Sequence, residues 1–300
     1  MYKVFIWGMG YLYNKYINCV RMQELAGDLT VQCVTSNEKN ILQVDGYRFV
    51  PKEQINSVEY DYCVVAVSDF QSVLSEALSI GIDSWKCIPI RVFSIPFFDL
   101  AKYTKVKQGC ISIISRNCWA GLCYNYLGLQ FNTPFINMFF SDGDFIKLMK
   151  RFDYYLSVPL EFAGSGFDSN LKREYPVGRL DDIYLHFNHY SDYGEAKDCY
   201  DRRKRRINKK KLIFVSSTGD RSVEKEFNNM DYEQKIIFVP YDSALRSSIK
   251  IAYTEAERNH GITIGMKANG IANGQNPLFN ILSFLNGEED FLRVQEARAI

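Results

Sequence analysis

Three polar clusters in the later part of the chain carry residue types that can do chemistry. The first is Arg116-Asn117-Cys118, inside ISIISRNCWAGLCYNY (residues 111–126). A guanidinium and an amide can bind a ligand, and a thiol at a helix amino terminus can act as a nucleophile once its proton is taken. Cys118 would need a base such as His186; a small buried thiol is the alternative. The second cluster is YPVGRLDDIYLHFNHY (residues 175–190), which holds two of the three histidines of the chain. Read as a strand, residues 182–188 place Asp182, Tyr184, His186 and Asn188 on one face and Ile183, Leu185 and Phe187 on the other. Such a stripe is either a solvent-facing edge or one wall of a site. In the second case His186 and His189 supply acid or base, with Asp181 or Asp182 orienting an imidazole. Asp182, His186 and His189 could also share a metal if the backbone bends, but no metal is assigned. The third cluster is basic: eight of the ten residues Arg202–Lys211 are Lys or Arg. Arg202, Arg203 and Arg206 would clamp a phosphate or pyrophosphate, or else line a solvated helical face.

A fourth feature opens the chain. Tyr2–Trp7 is a short apolar strand, GMG (residues 8–10) a turn, and Leu12, Tyr16, Ile17 and Val20 recur at helical spacing. Gly8 would allow the tight turn and Gly10 would let a cofactor phosphate approach the helix. Tyr13 replaces the third glycine of the dinucleotide fingerprint. The second strand, Leu29–Val34, ends in Thr35-Ser36-Asn37, with no carboxylate to hold a ribose diol. The segment is therefore a nucleotide site or a Rossmann-shaped domain without one, and no particular cofactor is specified.

These clusters need elements to hold them. An α/β class is expected: a Rossmann-like parallel-sheet domain over residues 1–100, then a second α/β domain over 101–300. In the first, Ile41–Val44 and Tyr47–Val50 form a hairpin about Asp45-Gly46. Asp61–Val67 is a buried parallel strand, Asp69 caps a helix that runs to Ser79, and Trp85–Ile90 is a further strand. Pro89, Pro96 and Lys102–Gln108 mark a linker. In the second, the run before Arg116 is a buried strand, Phe135–Phe140 another, and Ser141–Asp144 caps a helix ending near Arg151. Residues 163–176 read as a mobile loop and Tyr193–Ile207 as a helix. Leu212–Val215 and Lys235–Val239 are strands, and the turn Ser216–Asp220 can hold a phosphate or simply cap a helix. Gly265, Gly270 and Gly274 lie in a polar loop, followed by short helices around 277–286 and 288–297.

Composition limits the function classes. Of 300 residues, 47% are hydrophobic and 15% aromatic, which requires a folded core. A net charge of +1 gives no whole-chain reason to bind nucleic acid. No apolar run is long enough for a membrane span, and the start is too glycine-broken for a signal peptide, so a cytoplasmic location is expected. Eight cysteines without a CxxC argue against zinc and a disulfide framework. Cys33, Cys63, Cys87 and Cys110 are expected as small buried hydrophobes.

Three stretches carry a resemblance: ISIISRNCWAGLCYNYLGLQFNTPFIN (111–137), YPVGRLDDIYLHFNHY (175–190) and EAKDCYDRRKRRIN (195–208). They resemble an uncharacterised bacterial family usually labelled exopolysaccharide biosynthesis protein, over about residues 110–240, preceded by a Rossmann-like domain. Ala120 departs from the family's usual glycine. The resemblance implies a surface-polysaccharide context and no catalytic residues. The expectation is a transferase-like enzyme handling a nucleotide-activated or phosphorylated sugar; the alternative is a non-catalytic nucleotide-sensing or scaffold protein. The expected partners are a sugar or nucleotide-sugar ligand and other copies of the chain in a homo-oligomer.

Overall fold

The computed structural model describes residues 1–38, 41–169 and 171–292. The fold is α/β, with two compact units: Met1–Gln108 with Tyr126–Leu129, and Gly109–Asn125 with Gln130–Ile300.

The first unit is built on β1 (Tyr2–Trp7), α1 (Tyr11–Leu25) and β2 (Leu29–Thr35). A small hairpin of β3 (Gln43–Val44) and β4 (Tyr47–Arg48) turns on Asp45 and Gly46, both at positive φ, which matches the expected turn. Then come β5 (Tyr62–Val65), α2 (Phe70–Ser79) and β6 (Cys87–Pro89). The main sheet is parallel in the order β2-β1-β5-β6. Its centre is dry because β1 and β5 are apolar on both faces: Val4, Phe5, Ile6, Cys63 and Val64 have no solvent exposure. The segment read as a linker is instead the helix α3 (Leu100–Gln108), whose Leu100, Tyr103 and Val106 repeat every three residues and are buried. Its lysines hid that stripe.

The second unit holds a parallel sheet in the order β13-β12-β11-β7. β7 (Ser112–Ser115) leads directly into α4 (Trp119–Leu127). Phe135–Phe140 is not a strand. Asn137 takes φ +61, which breaks an extended run, and the segment makes only the isolated bridge Phe139–His186 among the described residues. It is followed by α5 (Asp142–Lys150) and α6 (Phe152–Ser157). The expected mobile loop is formed by β8 (Glu161–Asp168) and the start of β9 (Arg173–Leu180); β9 lies between β8 and β10 (Ile183–His186) and is antiparallel to both. β8 is an edge strand that buries neither face, so its Gly, Ser and Asp content resembled a loop.

After α7 (Tyr193–Lys204) the sheet is completed by β11 (Leu212–Ser217), α8 (Arg221–Asn228), β12 (Lys235–Val239) and the short β13 (Ser248–Lys250). The tail forms α9 (Glu255–Asn259), α10 (Ile264–Asn269) and α11 (Ile281–Leu285). Gly265, expected in a loop, lies inside α10. A helix Glu289–Phe291 of 3₁₀ type begins the last expected element, whose remainder lies outside the described residues. The core joins both layers through Phe135, Phe140, Phe145, Phe187 and Phe214, each at or below 1% exposure. Each such burial contributes about 2–3 kcal/mol relative to exposure. Among the described residues no helix is long and apolar enough to cross a membrane.

Candidate functional site

Arg116, Asn117 and Cys118 occupy the turn from β7 to α4, at the carboxyl end of the second unit's sheet. Arg116 continues the ladder, its N–H donating to Val215 O at 3.1 Å, while Phe140 N–H donates to Arg116 O at 2.8 Å. Ser115 Oγ donates to Asn117 O at 2.6 Å and accepts from Ala120 N–H at 3.0 Å, which fixes the turn on both sides. Asn117 Oδ1 accepts from Trp119 N–H at 3.2 Å, and its Nδ2 donates to Gly265 O at 3.4 Å. A Cβ at Gly265 would lie 2.8 Å from that nitrogen, so α10 needs glycine there to come this close.

Cys118 stands at the amino cap of α4, its carbonyl accepting from Leu122 N–H at 3.0 Å. Its Sγ lies 3.2 Å from His189 Nε2. The structure thus pairs the thiol with His189. His186 is occupied elsewhere: its ring stacks on Phe139 at 4.6 Å and 10°, and its Nδ1 lies 3.4 Å from the Tyr175 hydroxyl. The two histidines part because β10 ends at His186. Asn188 N–H then donates to His186 O and Tyr190 N–H to Phe187 O, a tight turn that carries His189 off the strand face.

Burial shifts both groups towards their uncharged forms. Burial pushes the Cys118 thiol up, offset in part by a hydrogen bond from its own backbone N–H. Burial pulls His189 down, helped by Arg173 and opposed by Asp168. Both shifts favour the uncharged thiol and the uncharged imidazole, 3.2 Å apart. Burial likewise pulls His186 down, with Asp144 opposing.

Beside the dyad's turn, Arg116 Nη1 pairs with Asp142 Oδ1 at 2.8 Å and Nη2 donates to Ser217 Oγ at 3.4 Å. Thr218 Oγ1 donates to Asp142 Oδ2 at 2.9 Å. This links the ends of β7 and β11 to the first turn of α5. Sequence reading missed Asp142 in this role, taking it only as part of a helix cap.

The other predicted residues are placed apart. Asp181 and Asp182 form the turn between β9 and β10, across the Leu180–Ile183 pair. Asp181 accepts from Tyr154 Oη at 2.6 Å; Asp182 accepts from Tyr155 Oη at 2.6 Å and pairs with Lys147 at 2.8 Å. Lys147, then Tyr155, hold the Asp182 carboxyl below its usual range. It lies at the opposite end of β10 from His186. Among the described residues no group of three His, Cys, Asp or Glu is placed to hold a metal. Arg203 is buried, its Nη1 donating to Tyr190 Oη at 2.8 Å and its guanidinium 5.2 Å from the Phe131 ring. Arg202 donates to Cys199 Sγ at 3.3 Å. Arg206 is half-buried, and burial, then Arg203 and Arg202, pull it down. The chain leaving these arginines is bound by Ser112 Oγ through Asn208 N–H at 2.8 Å, at the amino end of β7. The arginine helix and the Cys118 turn thus connect to opposite ends of that strand. Cys33, Cys63 and Cys87 are buried as expected; Cys110 is exposed because it sits at φ +47 in the turn before β7.

The first unit has its own opening, a cleft of about 340 Å³ at the carboxyl ends of β1, β2 and β5. Gly8 and Gly10 line it, with Ser36, Asn37, Glu38 and Ser68. Gly8 takes φ +106, and a Cβ there would lie 2.7 Å from Val67 Cγ2. Tyr13 is buried, and burial followed by Asp45 raises its hydroxyl. Glu38 is the carboxylate the sequence reading did not find, since it lies three residues beyond the end of β2.

Two α/β units, each with polar groups gathered at the carboxyl rim of a parallel sheet, define the class of protein. Residues 90–286 match the family described as Domain of unknown function (DUF1919), and the chain belongs to that family. Residues 1–88 match the C2185-like N-terminal domain. A relative, an uncharacterized protein of Haemophilus influenzae, is 29% identical over 170 residues, covering 55% of this chain and 79% of its own length. The resemblance read from the motifs is thus membership of an uncharacterised family; the polysaccharide context is not carried by these matches.

Proposed function

We propose that the chain is a transferase of cell-surface polysaccharide assembly, acting on a nucleotide-activated or phosphorylated sugar through Cys118 and His189. The carrying observation is the 3.2 Å approach of Cys118 Sγ to His189 Nε2 at the amino end of α4. The polysaccharide context rests on the motif resemblance. The phosphorylated substrate is supported by the Ser217-Thr218-Gly219 turn at the carboxyl end of β11. In the transfer, Sγ bonds to the electrophilic centre of the donor as its proton passes to Nε2. The leaving phosphate departs with the bonding pair and takes that proton. Neutral His189 then removes the proton of the acceptor hydroxyl, whose oxygen displaces sulfur, and the proton returns to the thiol.

The test joins a thermal-shift screen of nucleotide sugars and sugar phosphates to intact-mass analysis. The expected outcome is one stabilising donor, an adduct on Cys118, and no adduct in Cys118→Ser. Flat melting curves throughout, or transfer that persists in Cys118→Ala, would sink the reading. A second reading, a non-catalytic scaffold protein, is favoured by the use of Asp182 and Arg203 in packing contacts; flat curves would support it.

A further inference from the structure

We infer that the cleft of the first unit binds a single nucleotide carrying a free ribose diol, held by Glu38, with its phosphates on the Gly8–Gly10 turn. The inference does not rest on the transferase reading. Four observations lead to it. The order β2-β1-β5-β6 puts β1 between a strand reached through α1 and a strand reached from the other direction. That reversal is where open parallel sheets leave a crevice beyond their carboxyl ends. The cleft lies there, walled by residues 7–12, 36–38 and 66–68.

The second observation is size. About 340 Å³ is at the small end of ligand pockets and gives room for one nucleotide. The third is Gly10. Its φ of −87° does not require glycine, and a Cβ built on it meets nothing within 4 Å. The space in front of it is open, and glycine leaves bare backbone facing the cleft, which suits close approach of a phosphate. No side chain caps α1, a fifteen-residue helix whose first turn carries no acidic residue. Its leading N–H groups and dipole are therefore available to an anion.

The fourth is Glu38. Glu38 lines the cleft just beyond the end of β2, on the side where the ribose of a nucleotide on this turn would extend. A carboxylate accepts both hydroxyls of a cis-diol and repels a 2′-phosphate, so the ligand class is a nucleotide with unmodified ribose. The wall is braced by Lys52, whose Nζ donates to Asn37 Oδ1 at 2.6 Å and pairs with Glu76. With that lysine already paired, phosphate recognition falls to backbone N–H groups.

Calorimetry on the full chain with ADP and with UDP, each beside its 2′-deoxy form, tests this. One ribonucleotide is expected to bind, its deoxy form about tenfold more weakly. Glu38→Ala should weaken the ribonucleotide about ten- to hundredfold and erase the ribo-deoxy gap, as expected for lost hydrogen bonds to a charged group. Gly10→Val should abolish binding without changing the ligand-free melting point. Arg179→Ala, which breaks an exposed ion pair with Glu161 in the second unit, should bind as the parent does. Absence of binding by both nucleotides at millimolar concentration, or an affinity left unchanged by either first-unit substitution, overturns the inference.

Discussion

The carboxyl rims of the two parallel sheets are furnished in opposite ways. In the first unit the rim is left open: a cleft, glycine backbone and an uncapped fifteen-residue helix. In the second the rim is filled by side chains bound to one another: Arg116 to Asp142 and Ser217, Thr218 to Asp142, Cys118 to His189. The same strand-turn-helix start can thus serve two ends. An open rim offers backbone donors to a ligand that arrives with its own charge. A filled rim holds reactive groups at fixed separation, at the cost of desolvating them.

The sharpest way to break this contrast is the reactivity of Cys118. A desolvated thiol beside a neutral imidazole should alkylate slowly at pH 7 and about a hundredfold faster by pH 10. Its midpoint should lie above the ordinary thiol value of about 8.5. A rate already at plateau near neutrality would mean a preformed thiolate–imidazolium pair. Next in size is stability. Arg203→Ala removes a buried charged hydrogen bond and should cost about 2–3 kcal/mol in urea unfolding. Glu38→Ala, on the open rim, should stay within about 0.5 kcal/mol. Equal costs would erase the distinction.

The smallest effect concerns acid. Burial lowers the folded-state values of His186 and His189 below those of the unfolded chain, so the unfolded chain takes up more protons. The stability they contribute is full above the ordinary histidine value of about 6.5 and is lost as pH falls through it. His186→Phe keeps the stack on Phe139 and should shrink the drop in urea midpoint between pH 7.5 and pH 5. An unchanged drop would place the acid sensitivity elsewhere.

What the sequence revealed, and what it hid, follows from how far each signal reaches. Strands buried on both faces, such as residues 62–65 and 212–217, declare themselves by continuous apolar runs. The Asp45-Gly46 turn declares itself by residue type, an Asp-Gly pair suited to positive φ. Alternation along 183–186 placed His186 correctly on the polar face of its strand. It gave no purchase on His189, because period-two logic ends where the strand ends and a turn takes over. Glu38 escaped for a similar reason, lying beyond the strand whose end was searched. Arg203 could not be told from its basic neighbours, since only the Tyr190 hydroxyl and the Phe131 ring, distant in sequence, single it out. The exposed β8 strand had no buried face to produce a pattern.

One feature of the second unit governs how Cys118 Sγ and His189 Nε2 stay in register. The thiol is carried by the sheet, whereas the imidazole is carried by the antiparallel insertion between α6 and α7. Near the site, the backbone tie between them is the reciprocal pair Phe139 N–H to His186 O and His186 N–H to Phe139 O, each 3.0 Å. Those two amides act as the latch of the dyad. Loosening them would move the imidazole and the thiol apart without touching either one, so the alignment is inherited from the main chain.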